Sequence, residues 1–121
     1  MSEDAIGREG WAKVSLSAYS SRLAQDLVGR LPRSRPDKKL RELAHVEFNG
    51  DDPSLGSQLK ALEHYLSQHQ TELLNLREEA EFELRISWLP KDPSESLVVP
   101  AQLLRSLADL DIDIMLDGYG S

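Results

Sequence analysis

The stretch Ala80-Glu81-Phe82-Glu83-Leu84-Arg85-Ile86-Ser87-Trp88 decides the fold. Apolar and polar residues alternate without a break, the two-residue period of a strand with one dry and one wet face. A strand covered on both sides would be apolar throughout, so this one belongs to a sheet with helices on one side only. The same alternation runs through Ala12, Val14, Leu16 and Ala18 against Lys13, Ser15 and Ser17. It returns at Ala44, Val46 and Phe48 against His45 and Glu47, and at Ile112, Ile114 and Leu116 within residues 111–116.

Steps of three and four residues mark the helices between these strands. Leu55, Leu59, Leu62 and Leu66 trace one stripe, entered through Asn49-Gly50-Asp51-Asp52-Pro53 with Asp52 as cap. Leu73, Leu74 and Leu76 extend it after a break near Thr71. Leu23, Leu27 and Leu31 predict a shorter helix, capped by Ser20 or Ser21, stopped by Gly29 and closed off by Pro32. Leu97-Val98-Val99 reads as a short extended piece. Pro100 then opens a third helix with Leu103, Leu104, Leu107 and Ala108 inward. The order β-α-β-α-β-α-β predicts an α/β (α+β type) two-layer sandwich. Its sheet has about four strands, mostly antiparallel or mixed, with helices on one face. Val14, Leu16, Val46, Phe48, Phe82, Leu84, Ile86, Ile112 and Ile114 should meet Leu59, Leu62, Leu66, Leu103 and Leu107. Trp11, Trp88, Tyr65 and Tyr119 read as core or core-edge residues. Strand order does not follow from periodicity.

The chain has 121 residues, enough for one domain. Residues 1–10 read as a flexible leader, 11–119 as the domain and 120–121 as a tail. No apolar run reaches the ~20 residues of a bilayer span. The acidic start Met1-Ser2-Glu3-Asp4 is unlike a signal peptide, so a cytoplasmic location with no membrane partner is expected. With no cysteine, disulfides and thiolate chemistry drop out. Lys and Arg number 14 against 21 Asp and Glu, a net charge of −7. Residues 30–41 carry six cations and one acid, so everything else carries −12. That balance speaks against general nucleic-acid binding.

Chemical motifs are sparse. His64 and His69 lie roughly 140° apart on a helix, so they cannot act as a zinc pair. His45 points to solvent beside Glu47. Gly56-Ser57-Gln58 lacks the pattern of a nucleophile elbow. Gly29-Arg30-Leu31 and Gly118-Tyr119-Gly120 have too few glycines to cradle phosphate. Asp51-Asp52 and Glu78-Glu79 suit a turn and a helix end. No catalytic residue, cofactor or metal ligand is assigned.

The charges offer two candidate surfaces. Glu47, Glu81, Glu83 and Asp113 project from the face the helices leave open, with Asp111 and Asp117 near its end and Lys13 and Arg85 as counter-charges. Gathered carboxylates repel one another, and a basic partner would relieve them. Arg33, Arg35, Lys38 and Lys39 form a basic loop over residues 32–40, which either contacts phosphate or an acidic protein patch or pairs with the acidic body. Without interleaved aromatics the loop has nothing on which to stack bases. The expected function is a non-catalytic protein-binding module, such as an immunity protein neutralising a basic toxin. Two alternatives stand beside it: a small enzyme with a polar site at His45, Glu47 and Glu83, and a ligand-binding, regulatory or subunit-association domain.

The run Val99-Pro100-Ala101-Gln102-Leu103-Leu104-Arg105-Ser106-Leu107-Ala108-Asp109-Leu110-Asp111-Ile112-Asp113-Ile114-Met115-Leu116-Asp117-Gly118-Tyr119 resembles the ending of the bacterial domain-of-unknown-function family 4279. That ending pairs a proline-led helix carrying two leucines and a leucine-alanine step with a strand running into a terminal Tyr. Leu27-Val28-Gly29-Arg30-Leu31-Pro32 resembles the family's first helix end, with its Gly and then Pro. The two stretches cover less than half of the chain, and Phe48 stands where the family usually has a Trp. The resemblance implies a compact α/β domain and brings no activity or catalytic residue with it. Small acidic bacterial domains of this kind often look like immunity partners of secreted toxins, an analogy of type.

Overall fold

The computed structural model describes residues 11–20, 27–40, 42–48, 54–89 and 97–118. One mixed sheet holds β1 (Trp11–Tyr19), β2 (Arg35–Pro36), β3 (Leu43–Glu47), β4 (Glu81–Leu89) and β5 (Asp113–Gly118). Their order is β2-β3-β1-β4-β5. β4 and β5 run parallel, and every other pairing is antiparallel. Three helices complete the described fold: α1 (Leu55–Gln68), α2 (Gln70–Leu76) and α3 (Ala101–Asp109). The class is the expected α+β sandwich. A fifth strand appears because Arg35–Pro36, inside the segment read as a loop, pairs with His45 and Ala44.

Alternation places the core as the sequence predicts. Leu16 stands between Val46 and Leu84, and Val14 faces Ile86, all of them buried. Leu59, Leu62, Leu66, Leu103 and Leu107 supply the helical side. Glu81 is exposed and Glu83 half-buried, while Phe82 and Leu84 are buried, so the register of β4 is the predicted one. Tyr65 is buried with its ring edge-on to Phe48 at 5.4 Å, and its hydroxyl donates to the Pro32 carbonyl at 2.6 Å. That bond ties the root of the basic loop to α1. Trp88 packs half-buried against the core.

Several expectations give way. α1 is capped by Ser54, whose Oγ accepts from the Ser57 N–H at 3.3 Å, while Asp52 and Pro53 lie outside the described residues. The helix breaks at His69 rather than near Thr71. Of the first predicted helix, Leu27 and Val28 are helical and a turn begins at Gly29; Leu23 lies outside the described residues. Leu97-Val98-Val99 joins no strand, and Val98 is exposed. In α3, Leu103 and Leu107 are buried, but Leu104 and Ala108 are exposed. Round the axis Leu104 lies about 80° and Ala108 about 120° from the middle of the buried pair, so both fall to one side of its stripe.

The last strand departs furthest. Its alternation predicts Ile112, Ile114 and Leu116 inward, yet only Ile112 is buried. Ile114 and Leu116 stand beside Leu84 and Ile86 on the helix side. They stay exposed because α3 packs against α1, and β5 forms the margin of the sheet. Periodicity reports which face a side chain shares, not whether anything covers it.

One polar residue holds the layers together. Gln58 on α1 is fully buried. Its Oε1 accepts the Val14 N–H at 2.8 Å, and its Nε2 donates to the Ala12 carbonyl at 2.8 Å. These groups lie on the side of β1 where β3 has ended, since Phe48 N–H still donates to the Val14 carbonyl. A side-chain amide thus continues the ladder where the backbone leaves it.

Candidate docking face

The polar side chains of the sheet fall into cross-strand rows. One runs Arg35, His45, Ser17, Glu83, Asp113, and the next runs Glu47, Ser15, Arg85, Met115. Lys13, Ser87 and Asp117 make a third, and Leu43, Tyr19 and Glu81 a fourth. Glu47, Glu81, Glu83 and Asp113 therefore share the open face, as expected. They are not electrostatically alike. Lys13 Nζ lies 3.2 Å from Glu47, and Arg85 reaches Glu83 at 3.5 Å and Asp117 at 3.4 Å. These are exposed pairs of small energetic worth, and they set two cations against three carboxylates in the middle of the face, offsetting most of its charge. Among the described residues Glu81 and Asp113 have no ion pair.

Those two residues meet at one end of the sheet. A groove of about 260 Å³ is lined by Glu78, Glu81, Asp111 and Asp113 with Arg77, over Phe82 and Leu110. Arg77 is already engaged: it donates to the Asp109 carbonyl at 2.6 Å and lies 3.4 Å from Asp111. An adjoining groove of about 310 Å³ shares Arg77, Glu78 and Glu81 and is flanked by the exposed ring of Tyr19. Parallel pairing explains the convergence. β4 and β5 begin at the same end of the sheet, so the turn at Arg77–Glu79 and the exit of α3 come together. That exit is a left-handed stop at Asp111, φ 56°, with Ile112 N–H donating to the Leu107 carbonyl at 2.9 Å. Sequence reading placed Asp111 near the face but missed Glu78 and Tyr19, because their approach depends on strand order.

The basic loop is at the opposite margin. Arg33, Arg35, Lys38 and Lys39 are exposed and form no ion pair among the described residues. Among the described residues of the basic segment the cation that pairs with the acidic body is Arg30, just ahead of the loop, 2.8 Å from Glu79. Asp37 organises the loop: its carboxylate accepts the N–H groups of Lys39 and Leu40, each at 2.8 Å. Those two backbone donors hold the Asp37 carboxyl below the ordinary carboxylate range. Arg33 adopts φ 64°, a left-handed turn conformation unusual outside glycine.

His45, Glu47 and Glu83, the residues of the expected polar enzyme site, lie on one face of the sheet. His45 and Glu83 share a row but are separated by Ser17, a distance of about two strand spacings or roughly 10 Å. The two grooves at the β4–β5 end are lined by other residues. A groove of about 540 Å³ lies between α1 and α3 and is lined by Lys60, Glu63, His64, Ser67, Gln102 and Ser106 among others. His69 is elsewhere, packed on Tyr65 and 3.9 Å from Glu72. Among the described residues no group of three His, Asp or Glu side chains is placed to hold a metal, and no helix is long and apolar enough to cross a membrane.

No family model matches the chain, and no curated protein or solved structure matches it.

Proposed function

We propose that this domain is a non-catalytic cytoplasmic binding protein for a basic protein partner, of the kind an immunity protein makes with the toxin it neutralises. The observation that carries the reading is the groove at the β4–β5 end. Among the described residues four carboxylates line it, and the one cation there, Arg77, is already engaged. A lysine or arginine of a partner would supply the missing charge there. Tyr19 beside it offers a ring face for a guanidinium. Charge of this arrangement acts mainly on association rate and partner choice. The basic loop lies at the far margin, so the face itself is polar from one side to the other and would orient an approaching partner.

The test is capture of the protein encoded by the adjoining gene, using the wild-type chain and the double reversal Glu81→Lys/Asp113→Lys. Both side chains are exposed and outside the ion pairs, so the variant should fold. Binding by the wild type and loss in the variant support the reading. No binding by the folded wild type, or equal binding by both, overturns it.

A further inference from the structure

Among the described residues β5 is an outer margin of the sheet, and the charges of Asp113 and Asp117 are the edge protection its sequence carries. Proteins blunt exposed strand edges with charged side chains, lysine above all, and with prolines, bulges or very short strands. The opposite margin follows that rule: β2 has two residues, and one is Pro36. β5 has six residues and no proline or lysine. Three consecutive apolar side chains on it are open to solvent: Ile114 at 37%, Met115 at 39% and Leu116 at 55%. Ile114 and Leu116 extend the Leu84 and Ile86 rows on the helix side, while Asp113 and Asp117 extend the Glu83 and Ser87 rows on the open side.

We propose that the outer edge of β5 takes up an extended segment of the basic partner as a sixth strand. This inference rests on the docking reading above and names its mode. Alternate side chains of the added strand point to opposite faces. Its apolar residues would cover Ile114 and Leu116, and its lysines or arginines would meet Asp113 and share Asp117 with Arg85. Charge selects this occupant over a second copy. A second β5 would bring two more carboxylates to a face where Asp113 already lacks a counter-ion, and facing like charges destabilise a strand pair. A basic strand cancels the charge that a copy would double.

The probe is a seven-residue peptide alternating lysine and valine, compared with a peptide of the same composition in two blocks. Binding is read by calorimetry, and hydrogen exchange of residues 113–118 by NMR. The alternating peptide should bind about tenfold more tightly than the blocked one and slow exchange on β5. Asp113→Asn/Asp117→Asn should weaken it about fivefold, with an unchanged spectrum elsewhere showing that the fold is kept. Equal binding of the two peptides, or binding without protection of β5, overturns the proposal. So does a peptide-free dimer that protects the same amides, which would assign the edge to a second copy. If the neighbour-encoded protein binds through Glu81 and Asp113 while the peptide leaves β5 unprotected, edge pairing fails and the docking reading survives. If neither binds, both fail.

Discussion

The side chain of Gln58 accepts the backbone N–H of Val14 at 2.8 Å inside the protein, taking the place of a strand that has ended. Its amide nitrogen completes the substitution at the Ala12 carbonyl, so one residue of α1 satisfies two backbone groups of the central strand β1. Gln58→Leu fits the volume but strands both groups in a dry layer. An unsatisfied buried group costs about 1–3 kcal/mol, so the variant should lose roughly 2–5 kcal/mol in urea unfolding. Gln58→Glu keeps the acceptor for Val14 and should lose less when its carboxyl is protonated. A loss under 0.5 kcal/mol for Gln58→Leu would remove Gln58 as the tie between the layers.

Tyr65 gives the fold an alkaline limit. Burial, reinforced by Glu72 and opposed by Arg33, pushes its phenol well above the ordinary tyrosine range. The sign follows from linkage. Above about pH 10 the unfolded phenol releases its proton while the native one keeps it, so stability is whole below that pH and falls as pH rises. Chemical unfolding at pH 8 and pH 11 should show a smaller alkaline loss for Tyr65→Phe than for the wild type. At pH 8 the same variant should be about 1 kcal/mol less stable, through the bond to Pro32. An identical alkaline decline in both proteins would detach the effect from Tyr65.

Ile112, just before β5, and Leu116, within it, belong to one alternating stretch of sequence and should behave oppositely. Ile112→Ala removes a buried side chain and should cost about 2–4 kcal/mol. Leu116→Ser changes an exposed one and should stay within about 0.5 kcal/mol of the wild type. Thermal unfolding of the two variants measures the contrast. Equal losses would mean that β5 is covered on its helix side.

This pair shows what the sequence can and cannot disclose. The strands, their faces and most of the core were legible, because a two-residue period fixes Phe82 and Leu84 against Glu81 and Glu83 whatever the neighbours are. Coverage was not legible. Ile114 and Leu116 carry the same pattern as Val14 and Leu16, and only the packing of α3 on α1 distinguishes them. Gln58 was hidden for a related reason: on its helical stripe it reads as one more polar residue, and its role appears only where β3 stops short. The candidate site was half legible. Alternation put Glu47, Glu81, Glu83 and Asp113 on one face, but the ion pairs that silence Glu47 and Glu83 depend on register. The groove that gathers Glu81 and Asp113 with Glu78 depends on the parallel pairing of β4 with β5.

The central claim is that basic groups dock at the β4–β5 end of the open face. Titrating the isotope-labelled protein with a tri-arginine peptide and following backbone amides by NMR tests it most directly. Shifts should concentrate at Tyr19, Glu78, Glu81, Asp111 and Asp113, fade as salt is added, and vanish in Glu81→Lys/Asp113→Lys. Shifts centred instead on Lys60, His64 and Gln102 in the groove between α1 and α3, or spread evenly over the acidic surface, would contradict it.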